Sequence, residues 1–124
     1  MKQERNTVTI SDSGVVSVPD RVRMTISEIA DLFDIYYQTA KRHIRAIEKS
    51  GVAGGDNSMS CTVEGMTIYP DYYGLEMIIV VAFRVQSHNA KIFREWIVNK
   101  VIAVANAPEM KILICREWNN ISLN

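Results

Sequence analysis

MTISEIADLFDIYYQTAKRHIRAIEK, residues Met24 to Lys49, is the stretch on which the reading of this chain turns. Ile26, Ile29, Ala30 and Phe33 recur at i, i+3, i+4 and i+7, the spacing of one apolar helix face. Thr25 or Ser27 can cap the start of that helix, and Glu28 lies three residues after Thr25, as in a capping box. Asp34-Ile35 breaks the pattern. A second helix is expected over Tyr37 to Lys49, because Ala40, Ile44 and Ile47 fall within about 60° of one another on a helical wheel. Gln38, Arg42, Arg45 and Lys49 share the opposite side, with Lys41 flanking them. Ser50-Gly51 is a stop signal.

Two short helices with so small a break have the spacing of a helix-turn-helix. Ala30 is the small residue that lets the helices approach, and Ile35 is the apolar plug of the turn. Asp34 stands where a glycine is usual, and it tolerates a left-handed backbone better than most residues. On the second helix Gln38 can pair with adenine, and Arg42 or Arg45 with guanine. Thr39 can bond a phosphate or touch a thymine methyl. Tyr37 faces outward, whereas Tyr36 is expected to staple the helix start onto the core. The candidate DNA-binding residues are therefore Tyr37, Gln38, Thr39, Lys41, Arg42, Arg45 and Lys49. The bland alternative is an αα-hairpin whose basic face is merely solvated.

Around this core the chain alternates. Thr7–Ile10 and Val15–Val18 flank Ser11-Asp12-Ser13-Gly14 and read as a small hairpin. After the loop Gly51–Ser60, Ser60–Val63 and Met66–Tyr69 flank Glu64-Gly65 as a second hairpin, in the place of a wing. Gly74–Val85, GLEMIIVVAFRV, is nearly all apolar. Its period does not choose between strand and helix, and its β-branched content favours strand. Ser87-His88-Asn89 supplies a break and an N-cap for a helix over Ala90–Ala105. Met110–Cys115 is a candidate final strand, and Trp96 and Trp118 are expected as core or dimer-interface anchors.

The bounds agree with one ordinary domain over residues 1–124. The 124 residues are 48% hydrophobic and 23% charged, enough for a core without metals or disulfides. Fourteen acids balance fourteen bases, and the pI is about 6.7, which argues mildly against nucleic acid unless the bases cluster on one face. Cys61 and Cys115 have no ligand partners at metal spacing. Two reduced thiols are the expectation, with a lone disulfide as the alternative. The charged start, Met1–Ile10, is not a signal peptide, and the run Met77–Phe83 is too short for a membrane span, so a cytoplasmic protein is expected. His43, at the edge of the apolar face, reads as a half-buried histidine bonded to backbone, and His88 as a loop or capping residue. No catalytic constellation, cofactor fingerprint or metal motif is present, so no enzyme is expected. Arg84, Lys91, Arg94 and Lys100 form either a second phosphate-contacting patch or, more simply, a solvated surface.

The block SEIADLFDIYYQTAKRHIRAI resembles the helix-turn-helix of the RhuM-type virulence proteins of bacterial genomic islands. Ile29-Ala30, Leu32-Phe33, Gln38-Thr39 and His43-Ile44 carry the likeness, while Asp34, Tyr36 and Ala40 depart from it. A second block is similar to the same family and to the N-terminal domain of Bro-type phage antirepressors. It rests on Tyr72-Tyr73, Leu75, Ile78-Ile79, Arg84-Val85, Ser87 and Phe93-Arg94-Glu95-Trp96. The resemblance implies that Gly74–Val85 is a helix, and that reading is adopted. The expected architecture is α+β: a winged-helix-like helix-turn-helix domain with small β-hairpins and two further C-terminal helices. The expected partner is double-stranded DNA, bound by a homodimer that regulates transcription on a mobile element. The alternative is an antirepressor-like module that uses the same helices to dock a protein. A small-molecule effector is not legible.

Overall fold

A computed structural model of the chain describes residues 6–106. The expected strand Met110–Cys115, Trp118 and Cys115 lie outside the described residues. Among the described residues the fold is α+β, with four helices and two small antiparallel hairpins. In chain order these are β1 (Thr9–Ile10), β2 (Val16–Ser17), α1 (Ile26–Phe33), α2 (Tyr37–Ser50), β3 (Cys61–Glu64), β4 (Thr67–Pro70), α3 (Leu75–Ala82) and α4 (His88–Asn106). Packing divides the chain after Arg94, where one domain over residues 1–124 is expected from sequence.

The local signals place the helix ends. Thr25 Oγ1 accepts from the Glu28 amide at 3.2 Å, and the Glu28 carboxylate accepts from the Thr25 amide at 2.9 Å, closing the capping box. Asp34 ends α1 in the left-handed region at φ 54°, and the Ile35 amide still reaches the Ala30 carbonyl at 3.0 Å. This compact reversal lets α2 begin at Tyr37. Gly51 ends α2 at φ 80°, where a side chain would be strained.

Burial follows the helical periodicity. Ile29, Ala30 and Phe33 of α1 meet Ala40, Ile44 and Ile47 of α2, all essentially closed to solvent. Met77, Ile78 and Val81 of α3 and Phe93 complete this core, with the Phe93 ring edge-on to Phe33 at 5.8 Å. Gly74–Val85 is thus helical over Leu75–Ala82, as the family resemblance implies and against its β-branched content. A helix apolar on nearly every side can be stable when most of it is enclosed, so propensity yields to burial. Arg94, expected on a solvated or phosphate-contacting patch, instead donates to the Ala82 and Val85 carbonyls at 2.6 and 2.9 Å. It satisfies the orphan acceptors at the end of α3. Ser87 caps α4 by accepting from the Ala90 amide.

β3 and β4 pair with Glu64 opposite Thr67, so the two-residue turn is Gly65-Met66, one residue later than the expected Glu64-Gly65. Gly65 has φ 64°, which a two-residue hairpin turn demands and glycine allows. In the second unit, from Glu95 onward, the Lys100 ammonium lies 5.5 Å over the Trp96 ring, and Val98, Val101, Ile102 and Val104 are exposed. Among the described residues no helix is long and apolar enough to cross a membrane.

The backbone closes around Tyr73. Its amide and carbonyl both pair with Met24, at 2.8 and 2.9 Å, and it also bridges to Gly55. Gly55 is pressed so tightly that a Cβ there would lie 2.4 Å from Pro70 Cγ and 2.7 Å from the Tyr72 carbonyl oxygen. Gly55→Ala is therefore expected to destabilise the fold by about 1–3 kcal/mol, as overpacking does. Urea unfolding measures this, and an unchanged midpoint would show that the loop gives way freely.

Candidate functional site

α2 has three flanks. One is the core flank just described. The second faces the β3–β4 hairpin. There the Lys41 ammonium bonds the Glu64 carboxylate at 2.8 Å, and this bond holds the Glu64 carboxyl below its ordinary pKa. Arg45 lies deeper. Its Nη1 donates to Glu48 at 2.9 Å and to the Tyr73 hydroxyl at 2.9 Å, and its Nη2 lies 3.7 Å from Glu64. Its guanidinium sits 3.7 Å over the Tyr69 ring. The Tyr73 hydroxyl in turn donates to the other Glu48 oxygen at 3.0 Å. Burial, and then the Glu48 carboxylate, push the Tyr73 hydroxyl's pKa up, so it remains a donor across the physiological range.

Arg45 is thus removed from the set of base-reading side chains. Its planar, five-donor head joins α2, the hairpin and the core, and moving it to a ligand would break three contacts at once. Lys41 is half-buried and held to the hairpin by one ion pair near the surface, a weaker tie.

The third flank is open. Gln38, Arg42, Ala46 and Lys49 are exposed, and Thr39 is half-buried beside them. At the helix start Tyr37 is exposed, and Tyr36 is 85% exposed. The expected stapling of Tyr36 onto the core does not occur. As the residue preceding the helix, it has an extended backbone (φ −67°, ψ 146°), and its ring stands in solvent. Among the described residues Arg42 and Lys49 form no ion pair. The half-buried His43 has its pKa lowered by burial and then by the charges of Arg42 and Arg84. It makes no hydrogen bond to backbone among the described residues, contrary to expectation. Arg42 and Arg84 therefore both lie near the His43 imidazole, whose neutral form they favour.

The hairpin differs in character. From Ser50 to Phe83 the chain carries no lysine or arginine, but it holds Asp56, Glu64, Asp71 and Glu76. Val63 and Ile68 are cross-strand partners, 65% and 62% exposed, and Met66 at the tip is fully exposed. The hairpin presents apolar surface where phosphate contacts would need cations. Cys61 at its base is exposed, with its thiol 3.2 Å from the Asn57 carbonyl. Among the described residues no group of three His, Cys, Asp or Glu is placed to hold a metal ion.

No family model matches the chain, and no curated protein and no solved structure matches it significantly.

The division of α2 into engaged and open flanks makes a stability prediction. Arg45→Ala leaves Glu48 and the Tyr73 hydroxyl short of a partner and should lower stability by about 1–3 kcal/mol. Arg42→Ala should stay within about 0.5 kcal/mol of the parent, as exposed positions do. Denaturant midpoints compare the two directly, and equal midpoints would refute the structural role of Arg45.

Proposed function

We propose that this chain is a DNA-binding protein of the winged-helix-like, helix-turn-helix kind, entering the major groove with the open flank of α2. On this reading α1 supports α2, Gln38 and Arg42 reach base edges, and Thr39, Tyr37 and Lys49 meet the backbone. Lys41 is a peripheral contact. Arg45 holds the helix instead of reading the groove. The protein acts as a homodimer in transcriptional regulation on a mobile or pathogenicity element, in keeping with its resemblance to RhuM-type proteins. The carrying observation is the open strip Gln38–Arg42–Lys49, free of acids, on a helix whose other two flanks are occupied. The hairpin follows α2 in chain order, as a wing would, but with no cation it supplies no phosphate clamp.

This reading predicts weakly salt-dependent binding. With Arg42, Lys49 and Arg84 as the cations that meet phosphate, log affinity should fall against log salt with a slope of about −3 per protomer. Arg42→Ala should weaken binding by about 1–3 kcal/mol and relax sequence preference, with stability unchanged. Fluorescence polarisation on genomic fragments measures both, and unaltered affinity and slope in Arg42→Ala would remove the reading.

A pH dependence also follows. His43 titrates below its ordinary value of 6.5 in the free protein. Phosphates near Arg42 and Arg84 would favour its protonated form, so DNA binding should take up a proton. Affinity should rise as pH falls from about 8 to about 5.5, and His43→Ala should flatten the profile. Stability runs the other way. A lowered histidine pKa favours the fold above 6.5, and that contribution is lost as pH falls through the lowered value. A profile unchanged in His43→Ala would refute this assignment.

A second reading is favoured by the apolar hairpin face. Val63, Met66 and Ile68 suit a protein partner, as in an antirepressor-like module that docks a repressor. Capture from host lysate that survives nuclease, recovers no DNA and is lost in Met66→Glu supports that reading over the first.

A further inference from the structure

Behind the hairpin, between the last turns of α2, the loop 53–57 and β4, lies a cavity of about 580 Å³. Its walls are largely apolar: Ala53 and Pro70 are buried, and Ile68 and Tyr69 of β4 also line it. Gly55, pressed onto Pro70, keeps the rear wall thin. Cavities of this size, with apolar walls and a few polar groups, are how proteins bind small molecules.

The charges on the lining decide what kind. Glu48 is engaged by Arg45 and by the Tyr73 hydroxyl. Arg45 is balanced by Glu48 and Glu64. Lys49 also lines the cavity and makes neither an ion pair nor a side-chain hydrogen bond among the described residues. Asn57, also on the lining, has a carboxamide without a hydrogen bond among the described residues. The lining therefore carries one uncompensated charge, which is positive, beside an aromatic and aliphatic wall.

We propose that this cavity binds a small aromatic monoanion, its carboxylate toward Lys49 and Asn57 and its ring against Ile68, Tyr69 and Pro70. The pairing is a charge-assisted hydrogen bond next to an apolar surface that a planar ring covers well. The site does not rest on the DNA-binding reading, and it is tested without DNA.

The test uses two probes of one shape, 2-naphthoate and the neutral 2-naphthamide, titrated into the ¹⁵N-labelled full chain. The expected result is saturable amide shifts clustered at Lys49, Gly54, Gly55, Asn57 and Tyr69. Naphthoate should bind about tenfold more tightly than naphthamide. Lys49→Gln, an exposed change whose spectrum reports the fold, should bring naphthoate down to the affinity of naphthamide and leave naphthamide unaltered. Equal affinities for the two probes would overturn the proposal. So would shifts confined to Val63, Met66 or Val98–Val104, or the absence of saturation at millimolar probe.

Discussion

The Tyr73 hydroxyl and the Arg45–Glu48 pair form the contact on which the arrangement of this fold depends. Tyr73 enters the structure as a short strand-like bridge to Met24 and Gly55, and its side chain crosses the core to meet α2. One residue thereby joins the start of α1, the loop after α2 and the outer flank of α2. Arg45 extends the junction outward, stacking on Tyr69 and approaching Glu64 of the hairpin. With Arg45 Nε buried and without an acceptor among the described residues, the guanidinium is already held in a geometry with little slack. Such half-buried ionic groups orient elements more than they stabilise them, because desolvation offsets much of the attraction. The orientation gained here is that of the hairpin against α2.

This junction divides the basic residues of α2 by role. Lys41 and Arg45 engage the hairpin acid Glu64, while Arg42 and Lys49 form no ion pair among the described residues. A helical wheel alone places Arg45 among the outward bases, since it has no knowledge of what packs on that side. Only the return of the chain through Tyr69 and Tyr73, more than twenty residues later, makes Arg45 an internal group. The acids that neutralise half the basic stripe are likewise distant in sequence or hidden on the same helix: Glu64 and Glu48.

What could be read from sequence was local. The capping box at Thr25 and Glu28, the turn at Asp34 and the stop at Gly51 depend on residues within a few positions, and the helix pair followed from them. The apolar periodicity of α1 and α2 likewise named the core residues correctly. Tyr36 was misread because an aromatic at a helix start has no signal for which way its ring turns. Arg94 was misread because the carbonyls it serves, at the end of α3, become available only once two helices meet. Gly74–Val85 is legible as a helix only through its family resemblance, since a helix apolar on nearly every side loses the amphipathic period that identifies helices.

The charge distribution narrows where a polyanion could bind. A chain with equal numbers of acids and bases can still present a local positive surface if its acids are gathered elsewhere. Here the stretch from Ser50 to Phe83 is acidic and lacks cations altogether, which leaves α2 and Arg84 as the positive region of that neighbourhood. A duplex bound there would touch one helix and its immediate neighbour, without the flanking clamp that a basic hairpin provides. A single protomer with so few cations would hold DNA poorly at physiological salt. Were duplex DNA the ligand, two copies on adjacent half-sites would double the phosphate contacts and the readout together, offsetting a hairpin that carries no cation.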